Sequence, residues 1–232
     1  MGKLYIVSTP IGNLGDISKR MIETLTEVDL VLCEDTRRTG KLLHELQIPK
    51  KDFLSFTDYN EKAKTPFVIE MLNSGKNIAL LSDGGTPLIS DPGYYLIKQA
   101  ILNNIPLDII PGPSAVVSAV VLSGLPSDRI LFWGFLPKKP GNKREVFKQY
   151  RLLTEVTPIT IVFYESPFRI RESITLLDDQ FPNCTLVILR ELTKLHQEIL
   201  RGYPKEILYQ LSSNPKGEIT AVLRLNIDPK SH

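Results

Sequence analysis

The sequence predicts an α/β fold made of two α/β domains, because short apolar runs alternate with helical patterns along the chain. In the first half, helical patterns separate the runs, which indicates a doubly wound, mostly parallel sheet. After residues 123–127 the pattern restarts, and its last run follows a turn and alternates only loosely, which favours a mixed sheet with antiparallel members. We therefore expect an N-terminal domain over residues 1–120 and a C-terminal domain over residues 121–232.

Four short apolar runs predict the strands of the first domain. Each run leads into turn residues, as expected for strands that are covered on both faces. The runs are Leu4–Val7, Leu30–Cys33, Ile78–Leu81 and Leu107–Ile110.

Helical patterns lie between these runs. Residues 17, 21, 25 and 28 are apolar and share one helical face, and Asp16 is placed to cap that helix. Residues 66–74 and 94–103 predict two further helices, and residues 90–93 would cap the second of them.

The second domain is predicted to begin with the strand Ile130–Phe135, which is followed by a charged helical segment. The apolar runs 159–163, 186–189 and 219–225 predict three more strands.

The composition excludes several classes of protein. A total of 28 Lys and Arg against 26 Asp and Glu leaves a formal charge of +2, so any RNA-binding surface must be a local patch. Cys33, Cys184 and the histidines at 44, 196 and 232 lack the spacing of a zinc site, so we predict buried free thiols and no metal. No apolar stretch approaches the ~18 residues of a membrane span, and we expect a cytoplasmic protein.

Polar or glycine-rich motifs end five of the predicted strands. In open α/β folds, ligands bind beyond the carboxyl ends of the strands, so these motifs together predict a ligand site and an enzyme. They occupy residues 9–16, 34–37, 82–87, 111–115 and 163–167.

The motif at residues 82–87 carries the strongest signal for a ligand. The paired glycines Gly84 and Gly85 let a ligand approach the backbone, while Asp83 and Thr86 offer a carboxylate and a hydroxyl. Such groups suit a sulfonium or a ribose.

Two other motifs offer backbone groups to a ligand. The loop that contains Pro10 would direct N–H groups outward, although a plain strand–helix connection has the same sequence features. Ser114 and Ala115 are small enough to leave room for a flat ring, although an ordinary helix start is equally consistent.

Several cationic side chains are candidates for contact with phosphate or for catalysis. Arg37 and Arg38 could bind phosphates or form surface ion pairs. Lys194 could act as a general base only if its pKa were depressed, and a surface lysine is the alternative. The densest basic run lies near Trp133 and Phe135 and could follow a phosphate backbone or form a solvated helix start; it comprises Lys138, Lys139, Lys143, Arg144 and Lys148.

The five motifs in this order, followed by residues 190–194 and 216–218, closely resemble the tetrapyrrole methylase superfamily, and more narrowly its ribosomal RNA branch. The resemblance runs from about residue 4 to about residue 225. One departure is Gly84, which stands where many members of the family have alanine.

The resemblance implies two α/β domains, S-adenosyl-L-methionine (SAM) in the cleft between them, and a homodimer. It implies 2′-O-methylation of a decoding-site cytidine in small-subunit (16S) ribosomal RNA (rRNA). The residues that the resemblance implies as cofactor contacts are Asp83, Gly84, Gly85, Ser114, Ala115, Tyr164 and Leu192. We expect Pro10 and Thr86 to join them, because they belong to the two loops described above.

We further expect Lys194 or Glu165 to assist the attacking hydroxyl. The residues expected to hold RNA phosphates are Arg37, Arg38, Lys138, Lys139, Lys143 and Arg144. Two alternatives remain open. A C-methyltransferase of a tetrapyrrole precursor would use the same cofactor, and a non-catalytic RNA-binding module would use the glycine loops for recognition alone.

Overall fold

The computed structural model describes residues 1–226 of the chain. Contacts between residues divide it into a first unit, Met1–Ser114, and a second unit that begins at Ala115. The domain boundary predicted after residue 120 stays a prediction.

The first unit contains a five-stranded sheet whose neighbouring strands are all parallel, in the order β3-β2-β4-β1-β5. Its strands are β1 (Leu4–Val7), β2 (Leu30–Cys33), β3 (Asp52–Ser55), β4 (Ile78–Leu81) and β5 (Leu107–Ile110), and its helices are α1 (Lys19–Glu27), α2 (Thr36–Glu45), α3 (Glu61–Asn73) and α4 (Tyr94–Leu102).

One apolar cluster covers each face of this sheet. Residues of α1 and α2 form one cluster with alternate residues of the strands, and residues of α3 and α4 form the other. Strands covered on both faces need no polar positions, which explains why β2 and β4 are fully buried. The predicted doubly wound sheet is confirmed, and the carboxyl ends of β2, β4, β1 and β5 meet at one edge.

The helix starts differ in detail from the prediction. Asp16 ends a short 3₁₀ turn, and Ser18 caps α1 by accepting a hydrogen bond from the amide of Met21 at 3.1 Å. The N-cap of α4 is Gly93, and no side chain caps that helix, so Asp91 is not a capping residue. The predicted cap at Asp16 therefore lies two residues too early, whereas the predicted segment 90–93 contains the observed N-cap Gly93.

The second unit contains a mixed sheet in the order β6-β7-β10-β8-β9, which confirms that prediction. Only β6 and β7 are parallel; the other neighbours are antiparallel. The elements are α5 (Ala115–Ser123), β6 (Ile130–Phe135), α6 (Pro140–Val156), β7 (Thr160–Glu165), α7 (Ile170–Gln180), β8 (Thr185–Arg190), β9 (Glu198–Gly202), α8 (Pro204–Gln210) and β10 (Ile219–Arg224).

Helices α6, α7 and α8 contribute buried side chains to an apolar core in this unit, together with alternate residues of the strands. Across residues 1–226, no helix is long and apolar enough to cross a membrane.

Candidate active site

The loops that follow β1 and β4 are joined by a pair of backbone hydrogen bonds at the carboxyl edge of the first sheet. The amide of Thr9 donates to the carbonyl of Gly85 at 2.8 Å, and the amide of Gly85 donates to the carbonyl of Thr9 at 3.0 Å. The buried hydroxyl of Thr9 donates to the carbonyl of Ser82, and the buried hydroxyl of Ser82 donates to the carbonyl of Gly85. This bonding fixes the two loops in one arrangement.

Two glycines are required by this geometry, and a third is not. Gly85 has a φ of +93°, which L-residues rarely adopt, and a Cβ on Gly112 would lie 2.9 Å from the Cβ of Ser8. A Cβ on Gly84 would make only ordinary contacts, the nearest at 3.5 Å from the carbonyl oxygen of Pro10. The structure therefore has room for an alanine in place of Gly84.

The joined loops border a cavity of about 150 Å³. Small-molecule sites commonly measure about 300–1,000 Å³, so this cavity could hold only part of a ligand of that size. Its lining residues all belong to the first unit and are Thr9, Pro10, Gly12, Leu14, Arg38, Thr39, Leu42, Ser82 and Asp83.

Carboxylates are concentrated beside the cavity. Burial raises the pKa of Asp91 to about 7, with further contributions from the nearby charges of Glu34, Asp83 and Asp58. Burial and the charge of Asp83 likewise raise the pKa of Glu34. A cation close to these carboxylates would relieve their mutual repulsion, so the edge is suited to a ligand that carries positive charge.

Arg38 is one cation already present at this edge. Its Nη1 donates to Asp83 Oδ2 at 2.9 Å, while the amides of Arg37 and Arg38 donate to the Asp35 carboxylate that caps α2. Both guanidinium side chains lie on exposed residues, so their positively charged ends remain accessible.

The other predicted cofactor contacts lie in several places. Thr86 shares a 2.9 Å hydrogen bond with Ser8, and Ser114 immediately precedes Ala115, the first residue of α5. In the second unit, the ring of Tyr164 packs edge-on against Phe132. Leu192 is buried just after β8.

The Glu165 side chain is fully buried and takes part in an ion-pair network in the second unit. Its Oε1 accepts hydrogen bonds from the amide of Ser166 and from Arg169, and its Oε2 accepts one from Ser173 at 2.7 Å. Lys143 Nζ lies 3.2 Å from the same Oε2 and bonds to Ser173 at 2.8 Å.

Glu165 and Lys143, which the sequence suggested as functional residues, have structural roles in this network. Both carboxylate oxygens of Glu165 are occupied inside the core, so it is poorly placed to take a proton from a substrate. The Lys143 side chain is wholly buried, so its ammonium cannot reach an RNA phosphate. The predicted roles of Glu165 as a base and of Lys143 as an RNA contact therefore do not fit the structure.

Lys194 is held between two carboxylates after β8. Its Nζ donates to Glu191 Oε1 and to Glu218 Oε2, both at 2.9 Å. Partial burial lowers the pKa of Lys194, but the hydrogen bonds to Glu218 and Glu191 outweigh it and the net pKa is raised. The condition for Lys194 to act as a base, a depressed pKa, is not met in this structure.

The turn that contains Lys194 has features that its sequence did not reveal. Glu191 and Thr193 have φ values of +52° and +65°, in the left-handed region, and the hydroxyl of Thr193 is buried. Neither residue is a glycine or an asparagine, so no turn signal marked them. The sequence likewise did not indicate Asp91 as a site residue, because its Ser-Asp-Pro-Gly context is typical of a helix cap.

The residues of the basic run differ in their exposure to solvent. Lys138, Lys139 and Arg144 are exposed at the start of α6 and remain available to a phosphate backbone, unlike Lys143. Across residues 1–226, no group of three or more His, Cys, Asp or Glu side chains could hold a metal ion, and His232 lies outside the described residues.

Comparison with known proteins places the chain among methylases. Residues 3–208 match the tetrapyrrole (corrin/porphyrin) methylase family. The chain is 46% identical over 224 residues to ribosomal RNA small subunit methyltransferase I of Thermotoga maritima, with 96% of this chain and 98% of that protein aligned. The protein of the same name from Hydrogenobaculum sp. is 42% identical over 95% of each chain.

Solved structures agree on the fold. Diphthine synthase superposes with a TM-score of 0.73 at 14% identity and covers 96% of this chain and 90% of its own. A uroporphyrin-III-C-methyltransferase from Thermus thermophilus gives a TM-score of 0.64 at 18% identity, covering 96% of this chain and 94% of its own.

Proposed function

The chain belongs to the tetrapyrrole methylase family, within its ribosomal RNA small subunit methyltransferase I group, and from this premise we propose that it methylates the ribose 2′-oxygen of a decoding-site cytidine in 16S rRNA. Membership makes it a methyltransferase, and SAM is the methyl donor of the family. The observation that carries the proposal is the 46% identity to a small-subunit rRNA methyltransferase over nearly the full length of both chains.

The first unit has the chemistry to bind part of SAM. When bound, SAM supplies an electrophilic methyl carbon on a positively charged sulfur. Pro10 and Asp83 border the cavity, Gly84 is exposed, and Thr86 adds a hydroxyl. Gly85 is buried and would contribute by fixing the loop, since its amide and carbonyl are both bonded to Thr9. The nearby carboxylates of Glu34 and Asp91 favour a cationic ligand over an anionic one.

The remaining cofactor contacts are proposed on family resemblance. They are Ser114, Ala115, Tyr164 and Leu192. The cofactor's place between the two domains likewise stays a prediction.

Positioning is the main contribution that this protein would make to catalysis. Methyl transfer needs the attacking oxygen, the carbon and the sulfur in line, and fixing such a geometry can contribute about 7–11 kcal/mol. The hydrogen-bonded loops after β1 and β4 provide a rigid support of this kind. The role proposed for Lys194 is that of an ammonium that donates hydrogen bonds, because its raised pKa keeps it protonated at neutral pH.

Exposed cations would hold the RNA. Arg37 and Arg38 lie at the edge of the first sheet, and Lys138, Lys139 and Arg144 lie at the start of α6. Guanidinium and ammonium groups on an otherwise nearly neutral protein provide local attraction for phosphate. We further propose that the enzyme acts as a homodimer in the cytoplasm, since these properties accompany the family resemblance.

The test is transfer of a labelled methyl group from SAM to undermethylated small ribosomal subunits, with free 16S rRNA as a parallel substrate. Label in the RNA would support the proposal, and the better substrate would identify free or assembled RNA as the target. SAM binding without transfer to either substrate would contradict it and favour a tetrapyrrole precursor as acceptor. No SAM binding would favour an RNA-binding module.

A further inference from the structure

Thr193 carries a buried hydroxyl that has no partner among residues 1–226. Nearly all buried polar atoms in folded proteins have a hydrogen-bond partner, because leaving one unpaired inside the protein is unfavourable. The backbone amide of Thr193 is by contrast satisfied, since it donates to Gln197 Oε1 at 2.7 Å. The unpaired group is therefore the side chain alone.

The turn around Thr193 is held in a strained conformation by many contacts. Thr193 is β-branched, and for such a residue a φ of +65° is a clear outlier. The amide of Glu191 donates to the carbonyl of Glu218 at 2.9 Å, and the amide of Lys194 donates to the carbonyl of Glu191 at 3.0 Å. Strain that surrounding contacts maintain in this way is characteristic of functional sites.

The charges around this turn restrict the class of ligand. Lys194 bonds to both Glu191 and Glu218, so one ammonium faces two carboxylates and the group keeps a net negative charge. The adjacent Arg190 is paired with Glu198 at 2.9 Å and cancels that carboxylate. A phosphate would be repelled by such a turn, whereas a neutral hydroxyl would not.

We propose that Thr193 Oγ1 forms a hydrogen bond with a ribose hydroxyl. A ribose hydroxyl both donates and accepts, as does threonine, so it can pair with Thr193 in either direction. This inference rests on the proposed function, which supplies two riboses, that of the adenosyl group and that of the target nucleotide. Thr193 is a binding residue that neither the sequence motifs nor the family resemblance assigned.

The test compares Thr193→Val, which keeps the branched shape and removes the hydroxyl, with Thr193→Ser, which keeps the hydroxyl. Thr175→Val is the matched control, because the Thr175 hydroxyl is exposed and bonds to its own helix at the carbonyl of Arg171. The readouts are the urea midpoint, the Kd for SAM by calorimetry, and kcat/KM for labelled transfer to small ribosomal subunits.

Thr193→Val is expected to unfold at a urea concentration at least as high as the parent, since it removes an unpaired buried hydroxyl. It should weaken either the SAM Kd or kcat/KM by about tenfold, the worth of one lost hydrogen bond. A weaker Kd identifies the cofactor ribose, and a lower kcat/KM at unchanged Kd identifies the ribose of the target. Thr193→Ser and Thr175→Val should stay near the parent.

Three results would overturn the inference. The first is a Thr193→Val variant whose SAM Kd and kcat/KM both equal those of the parent. The second is a lower urea midpoint in that variant, and the third is an equal loss of function in Thr193→Ser. If the parent itself binds SAM but methylates no rRNA, the proposed function fails, and the Kd still tests Thr193 against the cofactor ribose.

Discussion

Replacing Lys143 by methionine should destabilise the second unit substantially. The Lys143 ammonium lies 3.2 Å from Glu165 and bonds to Glu172 and Ser173 at 2.9 and 2.8 Å, inside a core where the lysine side chain has no solvent exposure. Methionine fills similar space but leaves the Glu165 carboxylate without this cation. Removing one partner of a buried pair typically costs about 3–5 kcal/mol.

The lower end of that range is expected, about 3 kcal/mol, because Arg169 still pairs with Glu165 at 2.7 Å. For a chain of this size the Tm should fall by roughly 6–12 °C. Adding Glu165→Gln to Lys143→Met should recover part of the loss, since the unpaired charge is then removed.

The measurements are urea denaturation and RNA binding, and Arg144→Met is the matched control. Arg144 is adjacent in the same helix but exposed, so its replacement should change the free energy of unfolding by less than about 0.5 kcal/mol while weakening RNA binding. If Lys143→Met were as stable as the parent and weakened RNA binding as Arg144→Met does, the assignment of Lys143 to the core would be refuted.

Three further outcomes are expected. In urea titrations, Asp91→Asn should stabilise the protein by about 1–2 kcal/mol at pH 8 and should have no effect near pH 4. The reason is that the pKa of Asp91 is about 7 in the folded protein and about 4 in the unfolded chain, so the parent loses stability as the pH rises between these values. An equal effect at pH 4 and pH 8 would contradict the raised pKa. Gly85→Ala should cost about 1–2 kcal/mol because of its positive φ, while Gly84→Ala should fold and bind SAM like the parent, and equal costs in denaturation would contradict the loop geometry. Reversing both Lys138 and Lys139 to glutamate should weaken RNA binding and flatten the log–log salt dependence by about 0.7–0.9 per lost phosphate contact, and an unchanged slope would remove this surface from the interface.

Continuous apolar runs predicted strands more reliably than any other feature of the sequence. The runs at β1, β2, β4 and β5 matched the observed strand bounds because each run is bordered by turn residues, and β2 and β4 are buried on both faces. Two edge strands were not predicted. β3 begins with the exposed Asp52, and β9 mixes charged and apolar residues, so neither carries an apolar run.

The sequence located the candidate site better than it assigned roles within it. The glycine-rich loops are found at the predicted sheet edge, because parallel strands bring their carboxyl ends together. The roles of Glu165 and Lys143 depend on a contact between β7 and α6, 22 residues apart in the chain, which local patterns do not encode. The raised pKa of Lys194 likewise depends on Glu218, which follows 24 residues later.

The most direct test of the central claim is to map the labelled methyl group in the 16S rRNA. The labelled RNA would be cut with nucleases into oligonucleotides, and the labelled oligonucleotide would be sequenced and treated with alkali. We predict label on a single cytidine of the decoding site, whose 3′ phosphodiester resists alkaline cleavage because the 2′-oxygen is methylated. Label on a base, or a labelled cytidine whose linkage alkali cleaves, would contradict 2′-O-methylation.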